Sequence, residues 1–133
     1  MAIDIHSGKE RTVVEVGGAV TTVPLVHENR IYFGSWDKSF YAVELETGRE
    51  LWRFETQGPI YSSPTLMDGS ICFGSWDKHL YALDADTGDE RGRFPTEGVI
   101  ISSPSVSKDL LLFGSGDGKF YALGGGAAEK TND

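Results

Sequence analysis

The pentapeptide Gly-Ser-Trp-Asp-Lys occurs twice in this sequence, at 34–38 and again at 74–78. The two copies begin 40 residues apart, and a plainer turn, Gly-Ser-Gly-Asp-Gly, follows after the same interval at 114–118. Prolines recur at this spacing, at Pro24, Pro64 and Pro104. A constant period over three copies, without an insertion, predicts a repeat architecture.

Each copy contains four short runs that are rich in β-branched and aromatic residues. In residues 59–94 these runs are PIYSSPTL, SICFGS, HLYALD and DERGRF, and turn residues separate them. Runs of this kind, spaced by about 8 to 12 residues, predict β-strands joined by hairpins. No segment has the apolar spacing of a helix over three turns. Strands are predicted near 2–5, 9–16, 20–27, 30–35, 39–44, 49–56, 60–66, 70–75, 79–84, 89–95, 100–106, 110–115 and 119–123.

Repeated four-stranded antiparallel units of 40 residues are typical of β-propeller blades, so we expect an all-β chain built from such blades. The prolines support this interpretation, because a residue without an N–H belongs on an edge strand and all three fall in the first predicted strand of a unit. The predicted units are a partial blade at 1–16, blades at 17–56 and 57–96, a partial blade at 97–123 and a flexible tail at 124–133.

Several of these segments resemble the PQQ-like repeat of quinoprotein-type propellers. They are YAVELETGRELWRF at 41–54, YALDADTG at 81–88 and FGSGDGKFYAL at 113–123, and the resemblance covers residues 1–123. It implies that an alanine and a Thr-Gly peptide sandwich a tryptophan of the neighbouring blade and thereby dock the two blades. The residues that match this docking motif in full are Ala42, Thr47, Gly48 and Trp52.

The other copies depart from the docking motif at the tryptophan. Thr12 and Gly92 stand where Trp52 stands in the best-matching copy. The resemblance therefore implies that the blades are docked more weakly, or packed differently, at these two places.

The composition limits the class of protein. With 133 residues, 39% hydrophobic and 24% charged, the chain has the profile of a single soluble globular domain. Its net charge of −8 argues against binding nucleic acid, which requires a basic surface. An acidic excess is typical of solubility and also of a halophilic cytoplasm. Cys72 is the single cysteine, so no intrachain disulfide is expected, and its apolar neighbours predict a buried thiol.

The sequence carries no predicted membrane or export segment. No apolar stretch approaches the roughly 18 residues of a membrane span. The first ten residues, MAIDIHSGKE, lack the basic and apolar regions of a signal peptide. A cytoplasmic location is expected if Met1 is the native start.

Propellers close into a ring with about four to eight blades, and this chain has three repeats. The last partial blade lacks its outermost strand, and the strand predicted at 9–16 is a suitable substitute, because an exposed sheet edge is a template for pairing. Two interpretations stay open. Either two chains pair head to tail as a homodimer and close a six-bladed ring, or the chain is part of a longer propeller.

Candidate binding residues cluster in the GSWDK turns. In a propeller blade, the turn between the second and third strands and the connection between blades share one face, here called the top face. The two tryptophans either form an aromatic patch that binds a partner or pack over neighbouring blades as scaffold, and the aspartates are typical turn formers. The candidates are Trp36, Asp37, Lys38, Trp76, Asp77 and Lys78.

The resemblance also raises the question of catalysis. Quinoprotein dehydrogenases with such repeats hold a quinone and a calcium or lanthanide ion through Glu, Asn and Asp ligands, often beneath a pair of adjacent cysteines. This chain has one cysteine and none of the long insertions that build such a site, and its asparagines, Asn29 and Asn132, fall in a predicted hairpin turn and in the tail. His6, His27 and His79 occupy three different repeat positions, which does not favour a metal site. No catalytic residue, cofactor or metal is predicted.

We therefore expect a non-catalytic interaction module. It would bind protein partners through its top face or add a peptide strand to an open sheet edge. The alternative is a quinone-type or sugar-type ligand in the central channel of an assembled ring. That alternative requires polar side chains to converge on the axis from Thr21, Thr22, Ser62, Ser63, Ser102 and Ser103.

Overall fold

A computed structural model describes residues 2–3, 10–12 and 14–124 of the protein, and over these residues the regular structure is β. The strands are β1 (Ala2–Ile3), β2 (Glu10–Thr12), β3 (Leu25–His27), β4 (Arg30–Gly34), β5 (Ser39–Glu44), β6 (Glu50–Glu55), β7 (Thr65–Met67), β8 (Ser70–Gly74), β9 (His79–Asp84), β10 (Glu90–Pro95), β11 (Ser105–Ser107), β12 (Leu110–Gly114) and β13 (Phe120–Gly124).

The strands form antiparallel sheets whose order follows the chain. β3 to β6 make one four-stranded sheet and β7 to β10 another, here called the first and second blades. β11 to β13 make a three-stranded third blade, and β1 pairs with β2 as a separate two-stranded unit. The predicted all-β fold of propeller blades is confirmed, and the last blade does lack a fourth strand among the described residues.

The core lies between blades, because each strand turns alternate side chains toward the blades on either side. From the first blade, Tyr32 and Phe40 pack against Ile71, Phe73 and other residues of the second blade, and all four are almost completely buried. The rings of Phe40 and Phe73 stack with centroids 4.2 Å apart. The gap between the second and third blades has its own apolar cluster, which includes Ile100 and Phe113.

A close approach between an isoleucine and a glycine fixes the spacing of neighbouring blades. A Cβ atom added to Gly34 would lie 2.2 Å from Cγ2 of Ile60, and one added to Gly74 would lie 2.1 Å from Cγ2 of Ile100. Both isoleucines are fully buried. We call this contact the isoleucine–glycine joint, and it requires glycine because any side chain would displace the next blade.

The first strand of each blade is shorter than predicted. The sequence predicts strands near 20–27, 60–66 and 100–106, whereas β3, β7 and β11 are three residues each and begin directly after the prolines. The placement of the prolines inside these strands is therefore wrong. The preceding residues bond across to the next blade instead of to a sheet ladder: the amide of Val23 donates to Ser63 Oγ at 2.7 Å, and the amide of Ser63 donates to Ser103 Oγ at 3.0 Å.

The chain ends also differ from expectation in detail. Gly124 belongs to β13 and not to a tail, whereas residues 125–133 of the predicted tail lie outside the described residues. β1 and β2 fall within the strands predicted at 2–5 and 9–16, of which residues 4, 5, 9 and 13 are likewise not described. No helix long and apolar enough to cross a membrane is found in the part of the chain that the structure describes.

The isoleucine–glycine joint generates a stability prediction. Gly74→Ala should lower the free energy of unfolding by about 1–3 kcal/mol, because the new methyl group overpacks the contact with Ile100. Gly92→Ala is the matched control, since a Cβ atom there meets nothing within 4 Å. Urea unfolding followed by tryptophan fluorescence measures both, and equal stabilities of the two variants would contradict the joint.

Candidate functional site

Each top-face turn is organised by an aspartate that ties it to the connection between blades. Asp37 accepts hydrogen bonds from the amide of Ser39 at 2.9 Å, from the amide of Gly17 at 3.1 Å and from the hydroxyl of Tyr41. We call this arrangement the aspartate clamp. It recurs at Asp77 and at Asp117, whose partners lie one and two repeats further along the chain.

The aspartate clamp confirms two predictions. The aspartates are turn formers, and the second-to-third strand turn does lie beside the connection between blades. The carboxylate of Asp77 is only 6% exposed, so its oxygens face the protein and not the solvent. Asp37 and Asp77 therefore hold the turns in place, and a role for them in binding stays a prediction.

The clamp also shifts the acidity of its members. The hydrogen bond from the Tyr121 hydroxyl, helped by the amides of Glu97 and Lys119, lowers the pKa of Asp117 to about 2. Burial and the bond to Asp117 raise the pKa of Tyr121 to about 12. Partial burial alone would raise the pKa of Asp37, but the bonds from Tyr41, Ser39 and Gly17 together lower it. The pairs Asp117–Tyr121 and Asp37–Tyr41 are thus held with the carboxylate ionised and the phenol neutral.

The lysines of the two GSWDK turns occupy a backbone conformation that glycine favours. Lys38 has φ 78° and Lys78 has φ 77°, and the corresponding residue of the third blade is Gly118 with φ 85°. Closing the turn imposes this left-handed conformation whatever the residue. Both lysine residues lie at the surface beside the turns, where glycine would adopt the same backbone with less strain.

Three aromatic rings form a continuous row across the first two blades. Trp36 stacks on Tyr61 with centroids 4.8 Å apart and an interplanar angle of 1°, and Tyr61 contacts Trp76 at 5.2 Å. Trp36 Nε1 donates to Thr21 Oγ1 at 3.1 Å. We call Trp36, Tyr61 and Trp76 the aromatic row. Tyr61 and Thr21 lie in the segments that precede β7 and β3. The tryptophans are 43% and 41% exposed, so each indole contacts Tyr61 and is also open to solvent.

Sequence reasoning did not single out Tyr61, the middle member of the row. The signal was present, because Tyr61 occupies the repeat position of Thr21 and Ile101 and is the aromatic member of that set. Ile101 is 51% exposed, so the apolar character of this position continues into the third blade. That Tyr61 lies between two tryptophans from different turns became visible only in three dimensions.

The docking motif is found between the first and second blades. Trp52 Nε1 donates to the carbonyl of Ala85 at 3.2 Å, and a Cβ atom at Gly88 would lie 2.5 Å from the indole. The partners of Trp52 are thus the alanine and glycine of the following blade's ADTG turn. The docking alanine, Ala85, stands at the repeat position of Leu45. Ala42 instead pairs with Trp52 in the ladder of its own blade, so its predicted place in the contact between blades is wrong.

Thr47 and Gly48 form the corresponding turn of the first blade. Thr47 donates to Glu44 Oε1 at 2.6 Å, and Gly48 has φ 73°. Thr12 occupies the repeat position of Trp52, and its side chain lies outside the described part of the structure.

The hydroxyls that a channel ligand would need are engaged by the scaffold. Ser62 Oγ accepts the amide of Gly74, and Ser102 Oγ bonds both the amide and the carbonyl of Gly114. Thr22 Oγ1 donates to the carbonyl of Gly34 at 3.4 Å. Thr21 holds an indole, while Ser63 and Ser103 accept amides from the preceding blade. These six side chains therefore have structural partners already.

Comparisons with known proteins agree with this geometry. The sequence profile of the family described as outer membrane protein assembly factor BamB matches residues 1–65. The crystal structure of BamB from Moraxella catarrhalis superposes with a TM-score of 0.82, at 21% identity, over 92% of this chain and 38% of its own. Residues 1–65 thus match a family of PQQ-like repeats, and the described blades share the propeller fold of the BamB structure. No curated protein is similar enough in sequence to count as a relative.

Two further structures carry the same fold. The computationally designed Ika4 protein has a TM-score of 0.81 at 19% identity, over 95% of this chain and 79% of its own. The quinohemoprotein alcohol dehydrogenase ADHIIG from Pseudomonas putida HK5 has a TM-score of 0.78 at 19% identity, over 88% of this chain and 20% of its own. The PQQ-like repeats here therefore span less than two fifths of BamB and one fifth of the dehydrogenase.

The remaining reactive groups of these PQQ-like repeats do not converge. Cys72 is buried, and burial raises the pKa of its thiol to about 11, so it is protonated at neutral pH. Within residues 14–124 and the short described stretches before them, no three His, Cys, Asp or Glu side chains are close enough to hold a metal ion. The feature of the repeats that stands out from the scaffold is the aromatic row.

The aspartate clamp predicts how stability depends on pH. The pKa of Asp117 in the folded state lies below its ordinary value of 3.8, so its carboxylate stabilises the fold above about pH 4 and this contribution is lost as the pH falls toward 2. Asp117→Asn, which cannot ionise, should give a shallower loss of unfolding free energy across this range. Urea unfolding at a series of pH values measures it.

A charge-matched control separates the clamp from a general effect of net charge. Asp109 is an exposed aspartate in the turn between β11 and β12, so Asp109→Asn removes the same charge without touching a clamp. Between about pH 4 and pH 2, the unfolding free energy of the Asp109→Asn protein should fall as steeply as that of the original protein. If the unfolding free energies of the Asp117→Asn and Asp109→Asn proteins fell equally over this pH range, the hydrogen bond from Tyr121 would not stabilise the Asp117 carboxylate.

Proposed function

We propose that this PQQ-like repeat array is a non-catalytic interaction module that binds protein partners on its top face. The observation that carries the proposal is the aromatic row, in which two tryptophans remain about two fifths exposed. Tryptophan and tyrosine are the residues most enriched among the hot spots of protein interfaces. Because the two tryptophans remain partly open to solvent, the row can contact a partner without a change in the fold.

The row is prepared for binding by its own contacts. Stacking of Trp36 on Tyr61 and the bond from its indole to Thr21 hold the ring in place before a partner arrives. Ordering a mobile side chain costs about 0.5–1.5 kcal/mol on binding, and a ring that is already held avoids most of this cost. Lys38 and Lys78 place positive charge beside the row in a chain of net charge −8. The favoured partner is therefore an apolar or aromatic anchor flanked by carboxylates.

The comparisons support a scaffold role without specifying its partner. BamB is described as an assembly factor of outer membrane proteins, and its structure shares this fold. A second similar structure is a dehydrogenase, and the two show that PQQ-like repeats serve different functions. We favour the non-catalytic role because the chain has one cysteine and no long insertion between repeats.

The alternative of a quinone-type or sugar-type ligand in the central channel has less support. It depends on hydroxyls from several blades turning toward the axis, and these hydroxyls bond neighbouring backbone groups instead. A ligand would have to compete with bonds that hold the first strands of the blades in place. Binding at the aromatic row would not compete with these hydrogen bonds.

The top-face proposal is tested by removing the row. Peptides selected from a random displayed library on the immobilised protein should share an aromatic or apolar anchor next to acidic residues. The double change Trp36→Ala with Trp76→Ala should weaken their binding by about 30-fold or more, as expected for hot-spot residues. The readout is the dissociation constant from fluorescence anisotropy of the labelled peptides.

A control on the opposite face makes this test specific. Glu46 and Asp86 lie in the turns between the third and fourth strands, so Glu46→Ala with Asp86→Ala alters the other face of the blades. Peptide affinity should be unchanged in that protein. Selected peptides that bind the row variant as tightly as the original would sink the top-face proposal.

A second copy of the chain is a further candidate partner, because the two ends of the array are complementary. Gly114 occupies the repeat position of Gly34 and Gly74, yet a Cβ atom there would meet only Ser102 Oγ, at 3.9 Å, among the described residues. At the opposite end, Val20 occupies the position of Ile60 and Ile100 and is 46% exposed. One end thus presents the glycine of a joint and the other end the branched side chain.

The surrounding surfaces fit the same pairing. Phe120 stands at the position of the buried Phe40 but is 40% exposed. By the repeat, its stacking partner would be Phe33, which lines an apolar hollow of about 330 Å³ at the start of the array together with Val20. We propose that two chains associate head to tail through these surfaces and close a ring. In such a ring β2 would pair with the partner's β13 in place of β1, which occupies the same repeat position.

The ring proposal predicts a concentration-stable dimer. Light scattering after size exclusion should give a mass near twice 14.5 kDa over a dilution series. Gly114→Val should reduce the mass to that of one chain, because the new side chain occupies the space that the branched side chain at position 20 of the second copy needs. Gly92→Val is the control, since position 92 lies between two blades of the same chain, and it should leave the mass unchanged. A monomer at every concentration, or a dimer that tolerates Gly114→Val, would refute the ring.

A further inference from the structure

A cavity lies between the second and third blades. A side chain fills the corresponding space between the first and second blades. The volume of the cavity is about 440 Å³. This size falls in the range of small-molecule sites, which is about 300–1,000 Å³. Most of its wall is apolar, and the apolar lining includes Met67, Cys72, Leu80, Phe94, Leu111 and Leu123.

The repeat explains where the cavity comes from. Trp52 fills the corresponding place one repeat earlier, and its ring lies 6.0 Å from that of Tyr32 and 6.1 Å from that of Phe40. In the next blade, all three large rings are replaced by smaller residues. Gly92 stands for Trp52, Cys72 for Tyr32 and Leu80 for Phe40. The cavity is therefore the space of a missing indole, enlarged by two further substitutions.

The surrounding blades have not closed over this space. Phe54 contacts Tyr81 at 5.4 Å and 63° in the first gap, and Phe94 contacts Tyr121 at 5.4 Å and 67° in the second. β6 and β10 also share the same register shift, at Glu50 in one case and at Glu90 in the other. The two gaps thus share this part of their framework, and the space that Trp52 fills in the first is open in the second. The turn that receives Trp52, with Ala85 and Gly88, corresponds to residues 125–128, which lie outside the described residues.

The charges at the mouth of the cavity are already paired. Arg91 donates to Asp84 Oδ2 at 2.7 Å and to Ser70 Oγ at 2.8 Å. Arg93 bonds both carboxylate oxygens of Glu90 and lies over the ring of Tyr81. With both guanidinium groups neutralised by carboxylates of the same blade, the cavity favours an uncharged ligand over an anion.

We propose that this cavity is a binding site for a neutral, planar bicyclic aromatic molecule of the indole class. The ligand would lie between the second and third blades in the place that Trp52 takes between the first and second. Apolar cavities of smaller volume bind aromatic molecules, and here a largely apolar wall faces a mouth that is open to solvent, through which a ligand can enter. The site lies within one chain and does not depend on the top-face proposal or on ring formation.

Calorimetric titration of the full chain with indole tests the site. Saturable binding of one indole per chain is expected, with a dissociation constant of about 1 mM or tighter for a ligand of this size. Gly92→Trp should abolish the binding and raise the midpoint of thermal unfolding, because the side chain fills the cavity from within. Gly92→Ala should retain the binding, since a methyl group there contacts nothing within 4 Å.

Two more variants keep the test decisive if a bulky residue at position 92 disturbs the fold. Cys72→Tyr restores the residue of the preceding blade and should weaken indole binding at least 10-fold. Trp52→Gly opens the first gap and should raise the stoichiometry to two. The absence of saturable binding in the original protein would overturn the proposal. Indole affinity unaffected by both Gly92→Trp and Cys72→Tyr would overturn it as well, because binding would then lie elsewhere.

Discussion

The packing of an isoleucine into the space left by a glycine of the preceding blade is the contact on which the rest of the array depends. At 2.1–2.2 Å from a virtual Cβ atom, Ile60 and Ile100 leave no room for any side chain at Gly34 or Gly74. Such close packing fixes the distance between blades and brings aromatic rings of adjacent blades into stacking contact. It also brings the connection between blades within reach of the aspartate clamp. Successive blades therefore lie at a constant spacing. The isoleucine–glycine joint at either end of the array is complete only when a further blade lies beside it.

This dependence makes the two ends of the array different from its middle. Val20 and Gly114 are the unmatched halves of a joint, and Phe120 is exposed where its repeat equivalents are buried. Exposed apolar surface of this kind is usually covered by a partner. A second copy of the chain carries the other half of each unmatched joint. Self-association is therefore a simple way to complete the ring. A further blade of a longer chain would satisfy the same contacts.

Departures from the repeat are the places where this chain differs from a plain scaffold. Tyr61 replaces non-aromatic residues at the top and connects two tryptophans into a row. Gly92, Cys72 and Leu80 replace large rings lower in the second blade and open a cavity. The turn aspartates, which keep the period, build the turns and the connections between blades. We propose function at the positions where a residue departs from its repeat equivalents. Contacts that recur in every blade are already explained by their role in folding.

The fold follows from the order of the residues alone, because an unbroken 40-residue period with turn residues at fixed positions has few structural solutions. The same pattern identifies the turn aspartates and the exceptional Gly92. It fails for the first strands, since the bonds that hold the residues before the prolines run to side chains of another blade and leave no local pattern. Three features depend on the packing of the blades: the position of Tyr61 between two tryptophans, the docking of Trp52 on Ala85, and the open space beside Gly92. These contacts join residues of different strands, so their distances are set by how the blades approach each other and by nothing in the local sequence.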